Sequence, residues 1–335
     1  MKPTLSRDAL RIDPEAVANT IAKRLEETVR RVLHRKGAVV GISGGIDSAV
    51  TTALCARALG PECVQGLFTP ERDSSEETLR LSRAVADSQG VSAILEDITP
   101  ILEAARCYER RDEFFKKAIP EYGPGWKAKI VLPSVVEGDQ YRIFSIVAFS
   151  PDGQTIKKRL PLEAYLGVVA STNFKQRTRK MLEYYHADRL HFCVAGTPNR
   201  LEYDQGFFVK GGDGLADFKP IAHLYKTQVY ELAAYLGIPE EVRKRPPTTD
   251  TYSMPQGQDE FYFSLPYAQM DLCLYAKNHG YSPAEVAKVL ELEPVQIERV
   301  YRDIDGKRRT TRYLHQKALL LDAVPELVLD VPSFA

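Results

Sequence analysis

The stretch Val39-Val40-Gly41-Ile42-Ser43-Gly44-Gly45-Ile46-Asp47-Ser48-Ala49-Val50 constrains this chain more than any other. An apolar run breaks into Ser-Gly-Gly and resumes with helical spacing, which reads as a strand, a tight loop and a helix. Adjacent glycines let the backbone approach a ligand and take φ values closed to other residues. The helix that follows aims unpaired N–H groups and its positive dipole end at the same spot, so the loop suits an anion. It is neither of two common nucleotide fingerprints, because no lysine follows it and its glycines are adjacent rather than spaced as G-x-G-x-x-G. The competing reading is a tight strand-to-helix turn with a capping serine.

The surrounding pattern supports an α/β architecture. Asp13-Pro14-Glu15 supplies a cap, a proline at the first helical position and an early acid, and Val17, Ile21, Leu25, Val29 and Val32 follow at helical spacing up to Gly37. After the loop the sequence predicts a helix to Leu59, a strand over Val64 to Phe68, a helix from Ser74 to Gly90 and a strand over Val91 to Leu95. A further strand is expected at Phe192-Cys193-Val194-Ala195 and a helix from Leu224 to Leu236. Strands alternating with helices at this interval imply a doubly wound parallel sheet, with ligands at the carboxyl ends of the strands. The middle departs from the pattern. Cys107 to Ile119 reads as a charged helix, Tyr141 to Phe149 and Thr155 to Arg159 as a β-hairpin, and Leu162 to Tyr185 as a helix. Pro246 to Gly257 looks like a loop, and short helices with basic residues run to about Arg312.

Composition narrows the classes. The 335 residues can bury a full core, and 45 basic residues balance 45 acidic ones, which gives no support to a nucleic-acid-binding surface spread over the whole protein. Five cysteines with no C-x-x-C pair point to reduced thiols rather than a zinc site or a disulfide frame. No signal core or membrane-length apolar run is present, so a soluble, cytoplasmic protein is expected.

Ser43-Gly44-Gly45-x-Asp47-Ser48 after a strand resembles the pyrophosphate loop of the N-type ATP pyrophosphatases. Four more stretches occur in the order and spacing of the ammonia-dependent NAD synthases within that superfamily. They are Asn173 to Arg179, Ala195-Gly196-Thr197 with Glu202, the glycine-rich run Gly206 to Asp217, and Leu224 to Gln228. The resemblance implies one Rossmann-like domain over about 13–312, with a family-atypical insertion at 106–160 carrying the hairpin and a tail at 313–335. It also implies the reaction: ATP-dependent amidation of the nicotinate carboxylate of deamido-NAD by ammonia, with release of AMP and pyrophosphate. A carboxylate is a poor acyl donor at neutral pH, so it must first become an acyl adenylate. The departing pyrophosphate then needs N–H donors and a cation.

By the same resemblance, Gly41, Ile42, Ser43, Gly44, Gly45, Ile46, Asp47, Ser48, Thr197, Lys226 and Thr248 would bind ATP, with Asp47, Ser48 and Lys226 as the catalytic group. Asp47 and Glu202 would hold Mg²⁺ through hard oxygen ligands. Arg177, Lys210, Asp217 and Lys307 would bind deamido-NAD, with cations on its pyrophosphate and a carboxylate on its hydroxyls. The rivals are a helix cap for Asp47, a solvated helix residue for Glu202, a surface lysine for Lys226, and for Arg177 an exposed basic face shared with Lys175, Arg179 and Lys180. His186, His191 and Cys193 read as a satisfied or exposed histidine pair and a small buried hydrophobe.

The chain leaves the family pattern in places. Asp259-Glu260-Phe261-Tyr262-Phe263-Ser264 stands where the family has Asp-Glu-x-Glu-Leu-Gly, and Gly306 replaces the histidine of the family's His-Lys pair. Tyr262 is an aromatic able to stack on a flat ring. The family also implies a homodimer with deamido-NAD bound across the interface. Ammonia would arrive free or from a separate glutaminase, as no amidotransferase domain fits the remaining length. A ligase of the same superfamily acting on another carboxylate, and a non-catalytic nucleotide-binding protein, remain the alternatives.

Overall fold

The computed structural model describes residues 2–132, 144–247, 252–254, 257, 262–263, 265–322 and 324–325. Helix α1 (Pro14–Glu27) starts where Asp13 accepts from the N–H groups of Glu15 and Ala16, and it runs on through a wider π turn at Thr28–Val32. Then come β1 (Ala38–Gly41), α2 (Ile46–Leu59), β2 (Val64–Phe68), α3 (Glu76–Ser88) and β3 (Ser92–Leu95). Helix α4 (Thr99–Ala104) follows, and the 106–160 segment holds α5 (Cys107–Lys116), β4 (Lys127–Val131), β5 (Ser145–Phe149) and β6 (Thr155–Arg159). Helix α6 (Leu162–Leu190) leads back to β7 (Cys193–Val194), followed by α7 (Arg200–Gln205), α8 (Lys226–Tyr235) and α9 (Glu240–Lys244). Helices α10 (Tyr267–Asn278), α11 (Pro283–Leu290) and α12 (Pro294–Thr311) close the chain.

The main sheet has the order β3-β2-β1-β7 and every pairing is parallel, with Gly41 opposite Leu67 and Val39 opposite Val194. Both faces are covered. Ala38 and Val40 pack with Ile21, Leu54, Val85 and Val229 of the helices on one side, while Val39 and Val194 meet Ala187 of α6 on the other. Helix α2 is apolar almost all round and buried accordingly, and each fully buried side chain such as Leu54 contributes on the order of 2 kcal/mol. This is the doubly wound sheet expected from the sequence.

Three features differ from the sequence reading. The hairpin β5–β6 falls within the expected one, of which residues 141–143 lie outside the described residues, and β4 adds a third antiparallel strand to it. Lys127-Ala128-Lys129-Ile130-Val131 is short, and its only burial signal is the alternation of Ala128 and Ile130 with two lysines. Helix α6 runs to Leu190, past Tyr185, and ends without a glycine because His191 itself takes the left-handed conformation at φ +58. It is also no exposed basic helix, since Lys175 and Lys180 are buried and only Arg177 of that run stands fully exposed. Part of the altered loop, including Asp259, Glu260, Phe261 and Ser264, lies outside the described residues.

Candidate active site

The carboxyl ends of β1, β2 and β7 open into one cavity of about 1650 Å³, walled also by α6, the glycine-rich stretch after α7, and α12. The loop after β1 is held from several sides. Gly44 takes φ +68, and a Cβ there would lie 2.7 Å from the Thr78 carbonyl oxygen, so both backbone and packing demand glycine. A Cβ on Gly41 would lie 2.8 Å from Glu183 Oε1 on α6. Ser48 donates to the Gly45 carbonyl at 2.9 Å and accepts from the Ser43 N–H at 3.2 Å. Its hydroxyl is therefore committed to holding the loop's shape.

Asp47, in the first turn of α2, meets two partners from distant elements. Its Oδ1 accepts from Asn199 Nδ2 at 3.1 Å, and its Oδ2 is ion-paired with Lys226 Nζ at the start of α8. Asn199 caps α7 through a reciprocal box with Glu202, whose Oε2 accepts from the Asn199 N–H at 3.1 Å. One asparagine thus draws both carboxylates together. Burial first, then the neighbouring Asp47 charge, push the Glu202 carboxyl up to about 8, against the pull of Lys226 and the Asn199 N–H. Lys226 is fully buried, and Asp47 and Glu202 outweigh its desolvation and keep it protonated. Asp271 of α10 supports it from behind, accepting from the Lys226 and Thr227 N–H groups at 3.2 and 2.7 Å.

Two carboxylates share one lysine here, so the cluster is short of positive charge. That donor set fits Mg²⁺, which typically takes one or two carboxylates and completes its shell with water and phosphate oxygens. No group of three or more His, Cys, Asp or Glu side chains suited to a metal occurs among the described residues.

The wall carrying Arg177, Lys210 and Lys307 is built differently. Arg177 Nε donates to the Lys210 carbonyl at 3.2 Å, and Lys210 Nζ donates to the carbonyls of Tyr313 and Gln316, each at 3.0 Å. Lys307 Nζ binds the Tyr262 carbonyl at 2.6 Å and Asp303 at 2.8 Å. Tyr262 lines the cavity, yet its ring stacks on Phe207 at 4.6 Å and its hydroxyl donates to the Gln205 carbonyl at 2.7 Å. It buttresses the wall.

All the loop residues except Gly44, together with Thr197, Glu202, Lys226, Arg177, Lys210 and Lys307, line this one cavity. Asp217 does not. It is exposed, its carboxylate accepting from the Val194 N–H at 2.7 Å and from the Tyr184 hydroxyl at 3.2 Å. Thr248 lies outside the described residues. Asn199 and Asp271 escaped the sequence reading, although Asn199-x-x-Glu202 is a legible capping box. His186 is satisfied by Glu96 at 3.1 Å and Arg189 at 2.9 Å, and the buried Cys193 thiol is pushed up to about 12 by desolvation. No helix among the described residues is long and apolar enough to cross a membrane.

Known proteins carry the same arrangement of sequence and fold. The NAD synthase family model matches residues 17–118 and 137–312, which leaves only 119–136 of the 106–160 segment unmatched. An NH3-dependent NAD+ synthetase of Rhizobium meliloti (strain 1021) is 57% identical over 322 residues, covering 96% of each chain. In fold, the chain is similar to an NMN synthetase from Francisella tularensis, with TM-score 0.65, 19% identity and coverage of 93% of this chain and 100% of the other. It is similar also to an NH3-dependent NAD synthetase from Campylobacter jejuni subsp. jejuni, with TM-score 0.60, 22% identity and the same coverages. With a family model spanning most of its length and a relative above half identity end to end, the chain belongs to the NAD synthase family, as a carbon–nitrogen ligase that makes NAD from ammonia.

Proposed function

We propose that the chain amidates deamido-NAD at its nicotinate carboxylate, using ATP and ammonia through an acyl adenylate. The observation that carries this reading is the Asp47–Lys226–Asn199–Glu202 constellation at the mouth of an anion-binding loop. The loop N–H groups and the α2 dipole would take the β and γ phosphates of ATP. Lys226 is the fixed cation beside the α-phosphate, where charge passes to the departing pyrophosphate, and a single well-placed donor of this kind is worth about 3 kcal/mol. Mg²⁺ held by Asp47 and Glu202 would supply further charge neutralisation on the phosphates. Arg177 and Lys210 would hold the acceptor's pyrophosphate, which would replace the Tyr313 and Gln316 carbonyls on Lys210. Lys307 would support the same end of the cavity.

Asp217 fits this reading through a second copy of the chain. Leu162, Leu166, Met181 and Tyr185 stand exposed along α6 on the same stripe as Arg177, and an apolar stripe of this length suits a homodimer interface. Tyr184 ties Asp217 to that helix, so an acceptor crossing the interface would meet its carboxylate.

Pyrophosphate release from ATP and ammonium across a panel of carboxylates tests the proposal. Deamido-NAD is expected to give the highest kcat/KM, with glutamine unable to replace ammonium. A different acid with much higher kcat/KM would transfer the assignment to a ligase of another substrate.

A further inference from the structure

Behind the cavity lies a second buried charge cluster that the proposed chemistry does not use. Lys175 of α6 is 1% exposed, and its Nζ donates to Glu71 Oε1 at 2.8 Å and Asp73 Oδ2 at 2.9 Å. From the insertion, Arg111 of α5 donates to the same Asp73 oxygen at 2.7 Å, and the Tyr108 hydroxyl donates to Glu71 Oε2 at 2.7 Å. The two acids belong to the segment between β2 and α3, and their side chains turn away from the cavity. Their neighbours Pro70, Ser74 and Ser75 face into it beside the anion-binding loop. The turn is rigid in itself, with the Asp73 N–H on Glu71 Oε2 at 3.0 Å and the Ser74 N–H on the Glu71 carbonyl at 2.8 Å. Any shift of Glu71 or Asp73 is therefore passed to the cavity wall.

We propose that Tyr108 and Arg111 are positioning residues for ATP, through which α5 fixes the wall of the nucleotide half of the site. Helix α5 thus acts on the nucleotide rather than only on the acceptor. Its location supports this, since α5 is anchored independently to α6 by Cys107 and by an apolar cluster of Ile98, Leu102 and Tyr108 against Phe174 and Leu182. A firmly held helix can transmit position. The closed ring of two carboxylates and two cations also keeps Asp73 ionised, Lys175 and Arg111 together overcoming its burial.

The proposal rests on ATP being the nucleotide substrate, so the wild-type enzyme must first release pyrophosphate from ATP with deamido-NAD and ammonium. Failure there removes the reading of the reaction and is separate from the variants' outcome. Tyr108→Phe deletes one hydrogen bond and retains the ring, so it keeps a folded protein in hand. Tyr108→Phe and Arg111→Gln are expected to raise KM for ATP about 5- to 10-fold while KM for deamido-NAD and kcat stay within about 2-fold. Arg111→Lys should recover most of the loss. Calorimetric titration of the metal-loaded enzyme with ATP should show the same weakening. Unchanged ATP binding in folded variants, or an equal rise in both KM values, overturns the proposal.

Discussion

The two buried clusters are made of the same parts and behave in opposite ways. Around Asp47, two carboxylates share one lysine, and Glu202 is pushed up. Around Asp73, two carboxylates meet Lys175 and Arg111, and Asp73 is held below its ordinary value of 3.8 despite burial. The first cluster opens to the cavity and has one cation for two carboxylates. The second is closed and balanced. Burial of charge by itself therefore does not mark a reacting site; the proposed chemistry is assigned to the cluster where a bound cation or ligand would make good a deficit. The comparison also explains why one helix carries basic residues of different kinds. Lys175 and Lys180 are buried against Glu71 and Glu183, whereas Arg177 between them is exposed, lines the cavity and donates to the Lys210 carbonyl.

Three measurements would break or sharpen this contrast. Asp47→Ala should lower pyrophosphate release about a thousandfold or more at limiting Mg²⁺ while leaving the circular dichroism spectrum unchanged. Near wild-type turnover would show that the deficient cluster is not the reacting one. Lys175→Met leaves buried Glu71 without a cation and Asp73 with Arg111 alone, and urea unfolding should register a loss of about 3 to 5 kcal/mol. A loss below 1 kcal/mol in that experiment would mean that the closed cluster is no brace. The smallest effect concerns acid. The folded value of Asp73 is depressed, so its contribution to stability is present above the unfolded value and disappears as pH falls through the folded one. Asp73→Asn should accordingly flatten the acid limb of the stability profile below about pH 4, and an acid limb of unchanged slope would place that linkage elsewhere.

Much of the fold was open to a reader of the sequence. The Ser-Gly-Gly loop, the Asp-Pro start of α1 and the alternation of apolar runs are local patterns, and each gave an element close to where it stands. Strand β4 was missed because five residues with two lysines carry too weak a period, and the end of α6 because His191 does the work of a glycine. Tyr262 read as a stacking surface, and the fold instead engages that ring with Phe207.

The sequence by itself determined the Ser-Gly-Gly loop, the parallel sheet and the family, because these rest on residues adjacent in the chain or on a motif order. Which charges meet was decided only in three dimensions. Lys226 stands 179 residues from Asp47, and Lys175 stands 104 from Glu71. No local preference links such pairs. Long-range packing of α6, α8 and the segment after β2 against one sheet brings them together, and desolvation at those places then decides which carboxylate is satisfied and which is left short of charge.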